Sequence, residues 1–198
     1  MKGNAFVHLI KYRIGLEKPH SQTTKEEREV LKKYSADLKS AVEIGVYEGV
    51  NTVLIAKSLS AEGVLYGIDP FFKGKLGISY PEVITKQELQ KNGLLARVKL
   101  LPMFSYEAVD LVPDEIDFIF IDGDHSYEGI KKDWADWSKK IKPGGIIALH
   151  DTSIPSHNKT IAELGSYKYF NEIIKNDIQF IIKETVDSLN VLQKVVNV

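Results

Sequence analysis

The chain has 198 residues, 43% of them hydrophobic, which is enough for one well-packed domain and short for two. A net charge of −1 gives no support to nucleic-acid binding, and the absence of cysteine excludes disulfides, thiolate metal sites and a cysteine nucleophile. No apolar run approaches the roughly 20 residues of a membrane span and the N-terminus lacks a signal-peptide pattern, so we expect a cytoplasmic protein with no membrane partner.

The first predicted element is a helix over residues 24–35, because Thr24 and Glu27 have the spacing of a capping box. From residue 40 onward, short apolar runs alternate with amphipathic stretches. The apolar runs predict strands over residues 41–45, 64–69, 98–103, 116–122 and 145–150. The stretches between and after them predict helices over residues 51–59, 81–91, 105–111 and 126–141, with one or two more within 158–175.

Strands that alternate with helices in this way predict parallel βαβ units covered on both faces. The chain ends differently, since residues 178–185 and 189–196 are strand-like runs too close together for a crossover helix, which predicts an antiparallel hairpin. The predicted fold is α/β, a doubly wound, mostly parallel seven-stranded sheet with a terminal antiparallel hairpin. We expect a single domain over residues 1–198, in which residues 1–39 form a helical N-terminal cap segment.

A glycine turn follows the first predicted strand, in the sequence EIGVYEG of residues 43–49. Glycines at such a place let the backbone turn sharply and approach a ligand closely. Tyr47 stands where the dinucleotide fingerprint has its middle glycine, so the turn disfavours a pyrophosphate and suits a ligand such as an adenosyl sulfonium. The alternative is that Gly45 and Gly49 only shape the turn and that Tyr47 only packs.

The next two strands end in side chains that suit the rest of such a ligand. Asp69 ends the second strand, where an acid can accept hydrogen bonds from ribose hydroxyls. A helix cap or a solvated loop acid is the alternative for Asp69. Ser105 follows the third strand and is expected to cap the next helix, a role compatible with a position near an adenine edge.

Acidic and imidazole side chains follow the fourth and fifth predicted strands. Asp122, His150 and Asp151 make a divalent-metal site plausible, with the carboxylates favouring Mg²⁺ or Mn²⁺ and the imidazole favouring Mn²⁺, Fe²⁺ or Zn²⁺. His125, three residues after Asp122, has the chemistry of a general base near neutral pH. The alternative is a turn-holding Asp122, a packed His150, a solvated Asp151, and a His125 that is only a polar residue at a helix start.

With these residues in place, residues 40–152 resemble a class I S-adenosylmethionine-dependent methyltransferase. The resemblance is to small O-methyltransferases of the catechol and caffeoyl-CoA type and to small bacterial methyltransferases with the sequence IDGDHSYE, found here at residues 121–128. It implies that Asp69 binds the ribose and that Ser105 lies near the adenine. The cofactor-binding residues implied in full are Glu43, Gly45, Tyr47, Gly49, Asp69, Phe104, Ser105 and Asp122.

The resemblance also implies a reaction, methyl transfer from S-adenosylmethionine to an oxygen of a small molecule, with Asp122 and His125 as catalytic residues. In the metal-dependent members an aspartate like Asp122 and a consecutive Asp-Asn pair hold the metal. Here the matching pair is His150 and Asp151, a departure that weakens the case for Mg²⁺. A lysine acts as the base in those enzymes, at the position that His125 occupies here.

Two other functions remain open from the sequence. One is a cofactor- or metal-binding α/β protein of the cephalosporin-hydroxylase-like group that transfers no methyl group. The other is a nicotinamide oxidoreductase, against which Tyr47 argues. The sequence indicates a small-molecule substrate without identifying it, predicts no nucleic-acid partner, and leaves the oligomeric state open, a homo-oligomer included.

Overall fold

The computed structural model of the protein describes residues 5–74 and 77–196, so predictions for residues 1–4, 75–76 and 197–198 lie outside the described residues. The α-helices are α1 (Ala5–Arg13), α2 (Lys25–Ser35), α3 (Val50–Ser58), α4 (Tyr80–Lys91), α5 (Ser105–Ala108), α6 (Tyr127–Trp137) and α7 (Gly165–Glu172). The strands are β1 (Ser40–Ile44), β2 (Val64–Ile68), β3 (Val98–Leu101), β4 (Ile116–Ile121), β5 (Ile141–Leu149), β6 (Phe180–Val186) and β7 (Leu189–Lys194).

These strands form one seven-stranded sheet in the order β3-β2-β1-β4-β5-β7-β6. The pairs among β1 to β5 are parallel, whereas β7 runs antiparallel to both β5 and β6. The predicted fold is therefore confirmed, including the terminal hairpin. The reversed strand β7 lies inside the sheet and leaves β6 as the edge.

Helices cover both faces of the sheet because alternate strand residues point to opposite sides. In β4, Phe118 packs in a cluster with Leu31 of α2 and Ile55 of α3. The next residue, Ile119, belongs to the opposite cluster with Trp134 of α6. All six residues of β4 are buried, as expected for the central strand of a doubly wound sheet.

Two predicted boundaries differ most from the structure. The helix predicted over residues 126–141 ends at Trp137, and β5 begins at Ile141 rather than at residue 145. Gly144 has a left-handed φ of 78°, and the register of β4 and β5 shifts at this point, so the strand continues through an irregularity that glycine permits. Within residues 158–175 only α7 is α-helical, between short 3₁₀ turns.

The N-terminal segment contains α1, which packs on α4 through Leu9, Tyr12 and Ile84. The capping box predicted for α2 is present, since Thr24 accepts from the Glu27 backbone and the Glu27 side chain accepts from Thr24. None of the helices in the described ranges is long and apolar enough to cross a membrane.

Candidate active site

A cavity of about 860 Å³ opens where β1, β2 and β4 end. In a doubly wound parallel sheet, ligands bind beyond the carboxyl ends of the strands, at the point where the chain connections change direction. Here that point is at β1. Seven of the predicted site residues line it: Gly45, Tyr47, Asp69, Phe104, Ser105, Asp122 and His125. The cavity wall does not include the other four, Glu43, Gly49, His150 and Asp151.

Gly45 lets the ends of β1 and β4 come together. Its φ is +90°, and a Cβ at this position would lie 2.0 Å from the carbonyl oxygen of Asp122. The Asp122 amide in turn donates to the Ile44 carbonyl oxygen at 2.8 Å. The glycine is required by a close backbone approach, so its place in the sequence motif has a structural reason.

Asp69 holds the glycine turn in place. Its Oδ2 accepts hydrogen bonds from the backbone amides of Val46 at 3.0 Å and Tyr47 at 2.9 Å, and Oδ1 accepts from Phe71 at 2.7 Å. These bonds stabilise Tyr47 in a left-handed conformation, with φ of 52°, that a non-glycine residue rarely adopts. Asp69 is thus neither a helix cap nor a free loop acid, and its role toward a ribose stays a prediction.

Glu43 lies behind the turn and is fully buried in β1. Neither of its carboxyl oxygens has a hydrogen-bond partner among the described residues. Burial raises the pKa of Glu43 well above its ordinary value, the charges of Asp122 and Asp69 raise it further, and the Thr52 hydroxyl opposes them. Burial therefore favours the neutral form of Glu43, and a positively charged group within reach would favour the ionised form.

Ser105 does not cap α5, which corrects the prediction. The N-cap is Phe104, and Ser105 is the first residue inside the helix. The Ser105 hydroxyl instead donates to Oδ1 of Asp133 at 2.5 Å. Phe104 and Ser105 both line the cavity, as the cofactor hypothesis requires.

Asp122, His125, His150 and Asp151 form one cluster beside the cavity. Nδ1 of His150 lies 2.9 Å from Oδ1 of Asp122 and 3.6 Å from Oδ1 of Asp151. His125 lies above them, with Nε2 3.8 Å from Asp122 and Nδ1 3.6 Å from Asp151. The convergence expected from the β4 and β5 strand ends is therefore present, and it combines two carboxylates with two imidazoles.

A fifth residue, Glu27 of α2, completes this cluster from the opposite side. Its Oε2 lies 3.3 Å from Nε2 of His150, and its Oε1 accepts two hydrogen bonds from Ser188. Burial by itself lowers the pKa of His150, but the carboxylates of Asp122 and Glu27 raise it to about 11. His150 is therefore a packed residue, as the alternative interpretation predicted. It is packed as a positively charged partner of carboxylates.

Asp122, His150 and Asp151 are not among the described groups of side chains whose ligand atoms all lie within 4.8 Å of one another, so a metal at this cluster stays a prediction. Nδ1 of His150 is sealed from solvent, and although Asp122 is near, the pair lacks hydrogen-bond geometry, so the atom has no hydrogen-bond partner within residues 5–74 and 77–196. Glu27 on the other ring nitrogen matches the carboxylate–histidine–metal arrangement of known metal sites. Protonated His150 carries a positive charge where a metal ion would bind, so a metal ion and the proton compete for this imidazole.

A different group has the tighter ligand geometry. Among the described residues, His8, His20 and Glu48 are the set of potential ligands whose atoms all lie within 4.8 Å of one another. Both ring nitrogens of His8 already have carboxylate partners, Glu17 at 2.5 Å and Glu48 at 3.0 Å. A proton on His8 accounts for this arrangement, and we assign no metal to it.

Sequence reasoning missed the N-terminal wall of the site. His20, Ser21 and Gln22 line the cavity. Glu48 of the glycine turn holds this loop, because its Oε2 accepts the backbone amide of His20 at 2.6 Å. The only signal in the sequence was the acidic residue itself, whose partner is 28 residues away along the chain.

The observed fold is the one that the resemblance to class I methyltransferases implies, a seven-stranded sheet with β7 between β5 and β6 and a glycine turn after β1. Solved structures of O-methyltransferases share this fold. An O-methyltransferase of Bacillus cereus, solved with S-adenosylhomocysteine, is 18% identical with a TM-score of 0.66, over 98% of this chain and 92% of its own. The O-methyltransferase TomG of Streptomyces achromogenes, solved with S-adenosylmethionine, is 13% identical with a TM-score of 0.66, over 98% and 91%.

The sequence family is shown independently of the fold. The model of a methyltransferase-domain family, Methyltransf_24, matches residues 42–152, more than half of the chain. The chain therefore belongs to this family of methyltransferase domains. An uncharacterized protein of Acanthamoeba polyphaga mimivirus is 28% identical over an alignment of 149 residues that covers 69% of this chain and 65% of that protein. The chain thus spans just under two thirds of that relative's length.

Proposed function

We propose that this protein transfers the methyl group of S-adenosylmethionine to an oxygen atom of a small molecule. The observation that carries the proposal is the shared cavity, which brings Gly45, Asp69, Ser105 and Asp122 from four strand ends to one wall. Its volume of about 860 Å³ lies within the range of small-molecule sites. The family of methyltransferase domains and the cofactors named for the two solved neighbours support the same ligand.

In this proposal, the residues of the chain bind and orient the cofactor and the acceptor. The turn of residues 43–49 would hold the methionine end, and an ammonium group of the cofactor near buried Glu43 would favour the ionised form of its carboxyl group. Asp69 accepts a ribose hydroxyl with the lone pairs that the backbone amides leave free. Bound S-adenosylmethionine supplies an electrophilic methyl group, and the main contribution of the protein is to place the acceptor oxygen in line with it.

His125 is the proposed proton acceptor. Its Nδ1 faces Asp151 and its Nε2 faces the cavity near Asp122, so Nε2 would take the proton of the acceptor hydroxyl, whose oxygen would gain the methyl group as the methyl–sulfur bond breaks and S-adenosylhomocysteine leaves. The side chain is partly exposed, which lets it reach both substrate and solvent. Asp122, His150 and Asp151 would hold a divalent metal, whether Mg²⁺, Mn²⁺ or another, which would lower the pKa of a bound hydroxyl group.

Residues 1–39 are proposed to act as a cap on the acceptor side within a single domain. Contacts of His8 and His20 with Glu48 support this, because they attach the segment to the glycine turn. We propose a cytoplasmic enzyme whose partner is its small-molecule substrate. No nucleic-acid partner is part of this proposal, and a homo-oligomer stays an open prediction.

Isothermal titration calorimetry with S-adenosylhomocysteine, S-adenosylmethionine and NADH tests the cofactor. We expect binding of the first two and no heat with NADH. Absence of binding to either adenosyl ligand would contradict the proposal, and binding of NADH would favour the oxidoreductase alternative.

A crystal soaked with S-adenosylhomocysteine and Mn²⁺ tests both parts of the site. Density for the cofactor between Gly45 and Ser105 and for a metal between Asp122, His150 and Asp151 is the expected result. A cofactor-loaded protein that methylates no member of a broad hydroxyl-acceptor panel, with or without Mn²⁺, would favour the binding-protein alternative.

A further inference from the structure

A short segment before α2 forms one wall of the cavity. His20, Ser21 and Gln22 line the cavity, and the next residue, Thr23, is only 5% exposed. These residues, 20–23, are the wall segment. The wall segment belongs to no helix or strand, so its position depends on contacts with other parts of the chain.

Both ends of the wall segment are held by side chains at the glycine turn. Glu48 of this turn is buried, and its Oε2 accepts the backbone amide of His20 at 2.6 Å and lies 3.0 Å from Nε2 of His8. At the other end, the Thr23 hydroxyl donates to Oδ1 of Asn51 at 3.0 Å in a buried hydrogen bond. Asn51 lies in the first turn of α3 and lines the cavity. The wall segment is therefore tied to the cofactor turn at two points.

The glycine turn faces the cavity with one side chain and the wall segment with the next. Tyr47 lines the cavity, whereas the carboxyl group of Glu48 contacts the N-terminal segment. Asp69 accepts the Tyr47 amide at 2.9 Å, and the Thr85 hydroxyl donates to the Tyr47 carbonyl oxygen at 3.0 Å. Because the backbone between the two side chains is fixed in this way, a ligand that orders Tyr47 also orders Glu48.

The wall segment lies on the side of the cavity where the acceptor is expected. It leads directly into α2, whose Glu27 contacts His150 just after β5. His150 lies 2.9 Å from Asp122 and belongs to the same cluster as His125, the proposed proton acceptor. The wall segment thus borders the acceptor end of the proposed site.

We propose that Glu48 is a positioning residue that couples the two halves of the site. With cofactor bound at the glycine turn, Glu48 holds the wall segment where it contacts the acceptor, so the protein binds its acceptor tightly only after the cofactor. This inference rests on the proposed function. The coupling is reciprocal, so a bound acceptor tightens cofactor binding by the same factor.

Hydrogen exchange of the wall segment, with and without saturating S-adenosylhomocysteine, tests the coupling. In the wild type the ligand should slow exchange over residues 17–24 by about tenfold, a typical strength of coupling between two sites. Glu48→Ala should still bind the ligand in calorimetry but lose the slowing. Glu48→Gln should restore part of it, because an amide oxygen accepts the His20 amide more weakly than a carboxylate does.

Two further variants make the result specific. Glu17→Ala removes the other carboxylate partner of His8, which contacts no residue of the wall segment, and should keep the wild-type slowing. Thr23→Val removes the second tie to the cofactor turn and should reduce the slowing even if Glu48→Ala folds poorly.

Turnover of an acceptor found in a panel gives a second readout. Glu48→Ala should raise the KM for the acceptor by about tenfold and leave kcat nearly unchanged, because His125 and the cofactor turn remain. An unchanged KM, equal slowing in a folded Glu48→Ala protein, or no slowing in a wild type saturated with S-adenosylhomocysteine would overturn the inference and leave the cofactor assignment intact. A wild type that does not bind S-adenosylhomocysteine would refute the proposed function itself.

Discussion

Gly45 is the residue on which the shape of the cofactor turn depends most directly. Replacing it by alanine places a Cβ 2.0 Å from the Asp122 carbonyl oxygen and strains a backbone with φ of +90°. We expect Gly45→Ala to lose more than about 2 kcal/mol of stability, since backbone incompatibility and a clash combine. Thermal unfolding of the purified variant measures this.

Gly93 provides the matched control for that substitution. It also has a left-handed φ, of +68°, but a Cβ there meets nothing within 4 Å. Gly93→Ala should therefore cost only the backbone strain, about 1–2 kcal/mol. Equal losses in the two variants would mean that the approach of β1 to β4 is not tight.

Asp122 and His125 carry the second prediction at this scale. Asp122→Ala and His125→Ala are expected to abolish turnover, since loss of a positioned general base alone costs about 10²–10⁴-fold in rate. Binding of S-adenosylhomocysteine should fall only modestly, because the glycine turn and Asp69 remain. Release of S-adenosylhomocysteine, measured with an acceptor found in a panel, gives the rate, and wild-type turnover in both variants would disprove their roles.

The residues that the sequence predicted are those whose function is local. Gly45, Asp69 and Asp122 each follow a strand directly, so the strand pattern was enough to place them at one edge of the sheet. The sequence did not predict that Asp133 and Glu27 lie at the site, because packing between distant segments brings them there. Glu27 and His150 are 123 residues apart in the chain, and the capping box explained Glu27 without suggesting a second partner.

At the scale of elements, α2 is attached to the sheet through a buried charged pair. Glu27 contacts His150 and Ser188, and removing one partner of such a pair leaves the other charge uncompensated. We expect Glu27→Ala to lose about 3–5 kcal/mol of stability. Chemical denaturation measures the loss, with Glu26→Ala, an exposed neighbour in the same helical turn, as the control expected to change little.

The attachment of α1 should depend on pH through His8. Burial lowers the pKa of His8, but hydrogen bonds to Glu17 and Glu48 outweigh this and leave the pKa raised above its ordinary value. A raised folded-state pKa means that the stabilisation is complete below about 6.5, the pKa of the unfolded chain, and is lost as pH rises through the folded-state value. The acidic groups Glu17 and Glu48 and the stacked ring of His20 face His8 throughout this range.

Hydrogen exchange of the α1 amides across pH 5.5 to 9 tests this, after correction for the intrinsic pH dependence of exchange. Protection relative to the sheet should decrease with rising pH in the wild type, and His8→Gln should remove that dependence. An unchanged pH profile in His8→Gln would show that other groups hold the segment.

Element boundaries were predictable only where side chains set them. The capping residues of α2 marked its start, whereas β5 began four residues early because backbone pairing with β4 continues through a glycine irregularity. Hydrophobic pattern does not report such pairing, since residues 142–145 are polar, proline or glycine. The alternation of strands and helices, by contrast, sufficed for the sheet.

For the whole molecule, cofactor binding should raise thermal stability. A ligand at 100 times its dissociation constant stabilises the folded state by about 2.7 kcal/mol, which for a chain of this size corresponds to a rise of about 5–10 °C in the melting temperature. We expect this shift with S-adenosylhomocysteine and none with NADH, as measured by differential scanning calorimetry. A shift with NADH alone would refute the cofactor assignment.

The position of β7 between β5 and β6 governs the order in which the molecule is completed during synthesis. Until Leu189–Lys194 has left the ribosome, β6 cannot reach the sheet and one side of β5 stays open to other polypeptides. Chains that terminate early would therefore expose the hydrophobic edge of β5, with unpaired backbone hydrogen-bonding groups, next to the end of the site that holds His150 and Asp151. Chaperone dependence and loss to inclusion bodies should then concentrate in nascent products that stop between β5 and β7.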